Sequence, residues 1–160
     1  MDEIVDQLKS QNIIVNDRIG SKEKFGDMNF LGKSDYRVYE DRSIPKEKPS
    51  VPWQHINTIG LSWGYNKMQE KKDYKSGKQL LELYNKVYGL DGDFLINFGP
   101  TAQGLLDENE VTSMLDFKLE KCVEEMEKSY IIEDGDIREL AKNYLNEEVL
   151  PTFKDLYQTK

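Results

Sequence analysis

An α/β fold built on a parallel sheet is what this sequence predicts, and three observations carry the prediction. Short runs rich in β-branched and aromatic residues at Ile13–Val15, Thr58–Trp63 and Phe94–Phe98 have the length and composition of buried strands. Segments with apolar residues at helical spacing alternate with them, which implies parallel strands joined by helices. At 160 residues the chain has the size of one domain with a core of its own.

In chain order, Ile4, Val5 and Leu8 fall on one face of an opening helix. Gln11-Asn12 breaks it, and Ile13-Ile14-Val15 reads as the first strand, ending in the polar cluster Asn16-Asp17-Arg18. Such a polar strand end is where α/β proteins present their chemistry. Residues 20–52 hold no sustained period and are broken by Gly20, Gly26, Gly32, Pro45, Pro49 and Pro52. A loop of this length in a compact domain is usually functional or disordered, and its aromatic stretches Phe25–Phe30 and Tyr36–Tyr39 favour an ordered active-site loop. The second strand, Thr58–Trp63, ends at Gly64-Tyr65-Asn66, and a charged loop spans Lys67–Lys75. Ser76 is placed to cap the next helix, whose stripe is Leu80, Leu81, Leu83, Tyr84, Val87 and Tyr88. Gly89 and Gly92 stop it before the third strand, Phe94–Phe98, which Gly99-Pro100 ends. Asp107 and Glu110 have capping-box spacing, and Val111, Leu115, Leu119, Cys122, Met126 and Tyr130 keep one face of a long helix. Beyond Tyr130 the segment Ile137–Leu145 reads as helical and Pro151 breaks the chain. Residues 1–130 are therefore expected to form the α/β part and 131–160 a divergent, mainly helical tail.

Composition bounds the function. Thirty Asp and Glu against 22 Lys and Arg leave a net charge of −8, which argues against nucleic acid and anionic membrane surfaces as partners. No apolar run approaches the roughly 20 residues of a membrane helix. The start, MDEIVDQLKS, is acidic and amphipathic and does not read as a secretory signal, so localisation is left open. The single Cys122 forms no internal disulfide and, on an apolar helix face, reads as core. No Cys/His grouping has zinc spacing, and Asp91-Gly92-Asp93 and Asp134-Gly135-Asp136 lack the calcium-loop register and read as turns, so neither metal nor cofactor is expected. With 38% hydrophobic and 32% charged residues, the chain either carries solvated helices or has its core completed by something else.

Four segments stand out together: Val15-Asn16-Asp17-Arg18 with Gly20; Trp53 after its prolines; Thr58-Ile59-Gly60-Leu61-Ser62-Trp63-Gly64-Tyr65-Asn66; and Gly92–Thr101. In this order and spacing, over about residues 10–120, they resemble the last part of the catalytic barrel of the α-L-fucosidase family of glycoside hydrolases. That family reads V-N-D-R-W-G, W-E, T-I-G-x-S-W-G-Y-N and G-G-N-x-L-L-N-I-G-P-x-x-D-G. Ile19, Gln54, Asp93 and Gln103 depart from its pattern. The resemblance implies the C-terminal portion of a TIM-like (β/α)8 barrel, with about three parallel strands and flanking helices.

It also implies a reaction. Retaining glycosidases need two carboxyls about 5 Å apart, one as nucleophile and one as acid then base. By resemblance, Arg18 contacts the nucleophile and the sugar, and Trp63 packs near the fucose methyl group; the plainer readings are an acid pair for Arg18 and barrel packing for Trp63. The acid/base is expected in the long loop, and some relatives carry it as a Glu-Asp pair about a dozen residues before the tryptophan. Glu40-Asp41 fits, Glu40 preceding Trp53 by 13 positions. Asp35 in Ser34-Asp35-Tyr36 is the runner-up, and either acid also reads as merely solvated. His55, the only histidine, reads as packed rather than catalytic. A whole barrel takes about 250 residues, and the family's nucleophilic Asp lies on an earlier strand. The expected partners are thus a fucosylated glycan or fucoside and an upstream barrel half or a second copy. The alternative is a non-catalytic remnant that binds sugar or a partner.

Overall fold

A computed structural model of the chain describes residues 2–20, 29, 31–39, 41–129, 134–149 and 151. Its elements are α1 (Asp2–Ser10), the single turn α2 (Asp17–Gly20), β1 (Arg37–Val38), β2 (Trp53–Thr58), α3 (Gly77–Tyr88), β3 (Asp93–Asn97), α4 (Glu108–Ser129) and α5 (Asp134–Tyr144), which continues into a π-helical stretch, Leu145–Val149. One sheet has the order β1-β2-β3 with every pairing parallel. The β2–β3 register runs from Gln54 opposite Asp93 to Thr58 opposite Asn97. The α/β class, with three parallel strands and flanking helices, is thus as the sequence predicts.

Which residues make the strands differs in two places. Ile13–Val15 forms no strand: Asn16 makes a single parallel bridge to Tyr36, beside the Asp35 N–H donating to the Val15 carbonyl at 2.7 Å and the Asp17 N–H to the Tyr36 carbonyl at 3.1 Å. Among the described residues no strand pairs with this run, and Ile13 and Ile14 stay 44% and 75% exposed while Val15 is buried. The second strand begins at Trp53 and ends at Thr58, where the sequence predicts it to begin. Beyond it, the amides of Leu61 and Ser62 are taken by the Gln69 side chain, so they are withdrawn from any ladder. Asp134–Asp136 opens α5 rather than forming a turn.

The contacts divide the chain into two units, Met1–Thr58 with Leu83–Asn97, and Ile59–Glu82 with Phe98–Lys160. In the first, the sheet packs around Trp53, whose ring meets Tyr39 edge to face at 6.4 Å and whose Nε1 donates to the Leu90 carbonyl at 2.9 Å. In the second, α4 and α5 enclose Cys122, Ala141 and Leu145, against which Leu119, Val123 and Met126 pack, so Cys122 is a core residue as expected. The Ser76 cap also holds: its Oγ accepts the Gln79 N–H at 3.3 Å and the Gln79 side chain accepts the Ser76 N–H at 2.9 Å.

Gly92 sits flat against the indole, and a Cβ built on it would lie 2.3 Å from Trp53 Cζ2. Gly92→Ala is expected to cost about 1–3 kcal/mol by overpacking a ring that cannot retreat. Gly64→Ala, which meets nothing within 4 Å, is expected to leave the urea midpoint unchanged. Equal midpoints for the two variants would show that Trp53 yields.

Candidate active site

The polar end of the Val15 segment is organised by Asp17. Its carboxylate is buried, accepts the Val38 N–H at 2.7 Å and faces Arg37 Nη1 at 2.9 Å, with the two side chains only 8% and 5% exposed. Asp17 is therefore committed to β1, and Arg18 has a different partner. Arg18 Nη2 donates to Asp41 Oδ1 at 3.1 Å, and the two side chains are 41% and 57% exposed. A pair this open is worth at most about 1 kcal/mol, so the guanidinium is held loosely and stays accessible.

Asp41 belongs to the turn that follows β1. Arg42, next in line, has φ 63° and donates its N–H to the Ile56 carbonyl at 3.0 Å. A non-glycine residue in the left-handed region is a strained one, and such residues gather at functional sites. Glu40 itself lies outside the described residues. Asp35 is described and occupied: it accepts the Val15 N–H at 2.9 Å and pairs with Lys9 Nζ at 2.9 Å. The Val15 N–H, followed by Lys9, holds its carboxyl below the ordinary carboxylate range.

His55 is fully buried in β2 and stacks on Phe94 at 5.7 Å. Its Nδ1 lies 2.7 Å from the Ser43 carbonyl, which can only accept, so Nδ1 carries the proton. Nε2 then accepts from the Asn57 amide at 3.1 Å, while Asn57 Oδ1 accepts the Thr58 N–H at 2.8 Å. The ring is a neutral, fully bonded core residue, in keeping with the packed reading of this histidine.

Trp63 stands in the second unit, on the loop after Ile59, and is 39% exposed beside Leu61, Tyr65 and Met68. Polar side chains shape this loop. Gln69 Oε1 accepts the N–H groups of Leu61 and Ser62 at 2.7 and 3.0 Å, and Asn66 Nδ2 donates to Ser62 Oγ at 3.2 Å. Burial, with the negative charge of Asp107 and Glu110, pushes the Tyr74 pKa up, with Gln69 opposing it. Asp107 Oδ1 also caps α4 through the Asn109 N–H at 2.8 Å. Glu110 does not complete the capping box that its spacing predicts. It turns instead to the Gly99 N–H, at 3.1 and 3.3 Å, and is buried there.

Burial raises the Glu110 pKa above the usual carboxylate value, only partly opposed by the Gly99 N–H. A carboxyl raised on folding favours the native state more when protonated, so its contribution is full at low pH and declines as pH rises through the native pKa. Glu110→Gln keeps an acceptor for Gly99 without the charge. It is expected to match or exceed the native stability at pH 7 and to flatten the melting-temperature profile in the acid range, whereas Glu110→Ala lowers stability at every pH.

The Asp41 partner of Arg18, the Asp17–Arg37 pair and the hold of Gln69 on the Leu61 and Ser62 amides are additions of the structure. Only adjacency, Asp17 beside Arg18 and Asp41 beside Glu40, marks any of them in the sequence. Comparisons with known proteins converge on one family. The family model described as α-L-fucosidase matches residues 2–118. The α-L-fucosidase of Dictyostelium discoideum is 31% identical over 104 residues, covering 65% of this chain and 21% of that protein. Among solved structures, an α-L-fucosidase from a Vibrio species aligns over 77% of this chain and 21% of its own with TM-score 0.62 and 19% identity. Isoenzyme 1 of Paenibacillus thiaminolyticus aligns over 91% of this chain and 30% of its own with TM-score 0.58 and 17% identity. The chain spans about a fifth of the length of the curated relatives it matches. With more than half of its residues matched by the family model, and with its parallel strands and helices superposing on those enzymes, this chain belongs to the α-L-fucosidase family.

Proposed function

We propose that this chain is a segment of a retaining α-L-fucosidase that removes terminal α-L-fucose from glycans, with the nucleophilic aspartate contributed by a barrel strand that precedes these residues in the family. One observation carries the reading beyond family membership. Arg18 makes its side-chain pair with Asp41, the residue next to Glu40. The arginine is thus paired with the sequence neighbour of the proposed acid/base.

In this mechanism Glu40 donates its proton to the glycosidic oxygen as the bond to fucose breaks, then takes a proton from the water that releases the sugar. Arg18 orients the incoming aspartate by charge-assisted hydrogen bonds, and Trp63 offers an aromatic face to the fucose methyl group. Asp35 suits the acid role less well: an acid catalyst must be protonated when substrate binds, and the Val15 N–H and Lys9 both favour its ionised form. β3 is an edge strand among the described residues, with Leu95 41% exposed, which fits a sheet continued by other barrel strands from an upstream half or a second copy.

Hydrolysis of an aryl α-L-fucoside tests the assignment, measured with the 160-residue chain alone and combined with the preceding barrel strands. Activity is expected only in the combination, with the α-anomer as first product. Activity of the chain alone would place the nucleophile within it, and silence in both would leave a sugar-binding or partner-binding remnant. Within the active combination, Glu40→Gln is expected to slow fucosides with poor leaving groups by about 10²–10⁴-fold, the usual worth of a general acid, and aryl fucosides far less. Equal slowing of both removes Glu40 from the role.

A further inference from the structure

The loop that carries Trp63 has little apolar packing to place it. Leu61, Tyr65 and Met68 are 60%, 45% and 77% exposed, and Trp63 itself is 39% exposed. An aromatic wall that leaves most of its neighbours in water must be located by something other than a core. Two backbone hydrogen bonds directly ahead of it converge on one side chain, Gln69. Its Oε1 uses both lone pairs on consecutive amides, Leu61 and Ser62, directly ahead of Trp63. Its own N–H donates to the Asn66 carbonyl at 3.0 Å, which closes the turn from the other side.

Gln69 therefore ties the backbone at residues 61 and 62 to the turn that begins at Asn66. Directional bonds placed in this way fix a site residue borne on a loop.

We propose that Gln69 is a positioning residue for Trp63, setting the place of the wall against which the apolar edge of the sugar packs, and so the preference for a methyl group there. This rests on the sugar-facing role proposed for Trp63. Gln69 touches no reacting atom in this scheme. It acts by removing freedom from the loop before substrate arrives, so its loss is felt in binding and discrimination rather than in the chemical step.

Two variants separate positioning from general stability. Gln69→Ala deletes the acceptor. Gly60→Ala leaves Gln69 in place but puts a Cβ 2.6 Å from its Nε2, which displaces it. Amide hydrogen exchange of the 160-residue chain should quicken at least tenfold at Leu61 and Ser62 in both variants, with the β2 and β3 amides unchanged. Gln69→Glu keeps an acceptor for the two amides and should restore their protection. In the combination active on an aryl α-L-fucoside, Gln69→Ala should raise KM about tenfold with kcat within twofold. It should also narrow the preference over the matching α-L-galactoside, which carries hydroxymethyl in place of methyl, at least fivefold.

Unchanged exchange at Leu61 and Ser62 in Gln69→Ala overturns the proposal, as does quickened exchange with KM and sugar preference intact while Trp63→Ala alters both. If Trp63→Ala itself leaves KM and preference untouched, the sugar-facing role of Trp63 fails instead. The exchange data then decide by themselves whether Gln69 places the loop.

Discussion

The buried carboxylate of Asp17 is the constraint on which the first unit depends. Two charges with side chains less than a tenth exposed are costly to hold inside a protein, and they are tolerated only when each is met by close partners. Asp17 meets the requirement with Arg37 and the Val38 N–H. Both partners lie in β1, so satisfying one acid fixes the chain between residues 15 and 18 against the first strand. Removing either member strands the other in the interior, a loss of about 3–5 kcal/mol for pairs of this kind. The consequence for function is indirect but strict. Arg18 follows Asp17 in the chain, and its position is inherited from that pair rather than from its own weak contact with Asp41.

The second unit solves a similar problem with neutral groups. Its aromatic loop leaves Leu61, Tyr65 and Met68 exposed, and hydrogen bonds from Gln69 and Asn66 supply order. Bonds of this type contribute about 1 kcal/mol each when net exchange with water is counted. They are nevertheless directional, and direction is what a loop without a core needs. Rigidity thus arises from the buried Asp17–Arg37 charges beside Arg18 and from amide geometry ahead of Trp63.

How much of this the sequence exposes follows from which forces write patterns. Helices with an apolar stripe are readable: α3 begins directly after its cap Ser76 and ends at Tyr88, and α4 begins directly after Asp107 and carries the stripe from Val111 to Met126, its last predicted member, Tyr130, lying outside the described residues. β3 is readable for the same reason, as an apolar run between glycines. β2 is misplaced because its inward positions include His55 and Asn57, buried polar residues that satisfy each other and disguise the strand. β1 is only two residues long and sits in a loop without period. Ile13–Val15 has strand composition but lacks a second neighbour, and propensity without pairing does not make a strand. At the candidate site, family motifs single out Arg18 and Trp63. Their supports, Arg37, Asp41 and Gln69, lie tens of residues or half a loop away and carry no local signature.

The acids around Arg18 sharpen the division of labour in the proposed reaction. A retaining glycosidase needs two carboxyls free to act, one ionised and one protonated. Among the described residues of the first unit, Asp17 is spent on Arg37, Asp35 on Val15 and Lys9, and Asp41 faces the arginine itself. Asp6 holds Lys33 at 2.6 Å, and Asp91 is paired with Lys48. Each of these carboxylates already faces a basic side chain, which suits a structural tie. These five aspartates therefore serve as ties within the first unit, and the proposed scheme assigns the proton to Glu40 and the nucleophile to the remaining strands of the barrel.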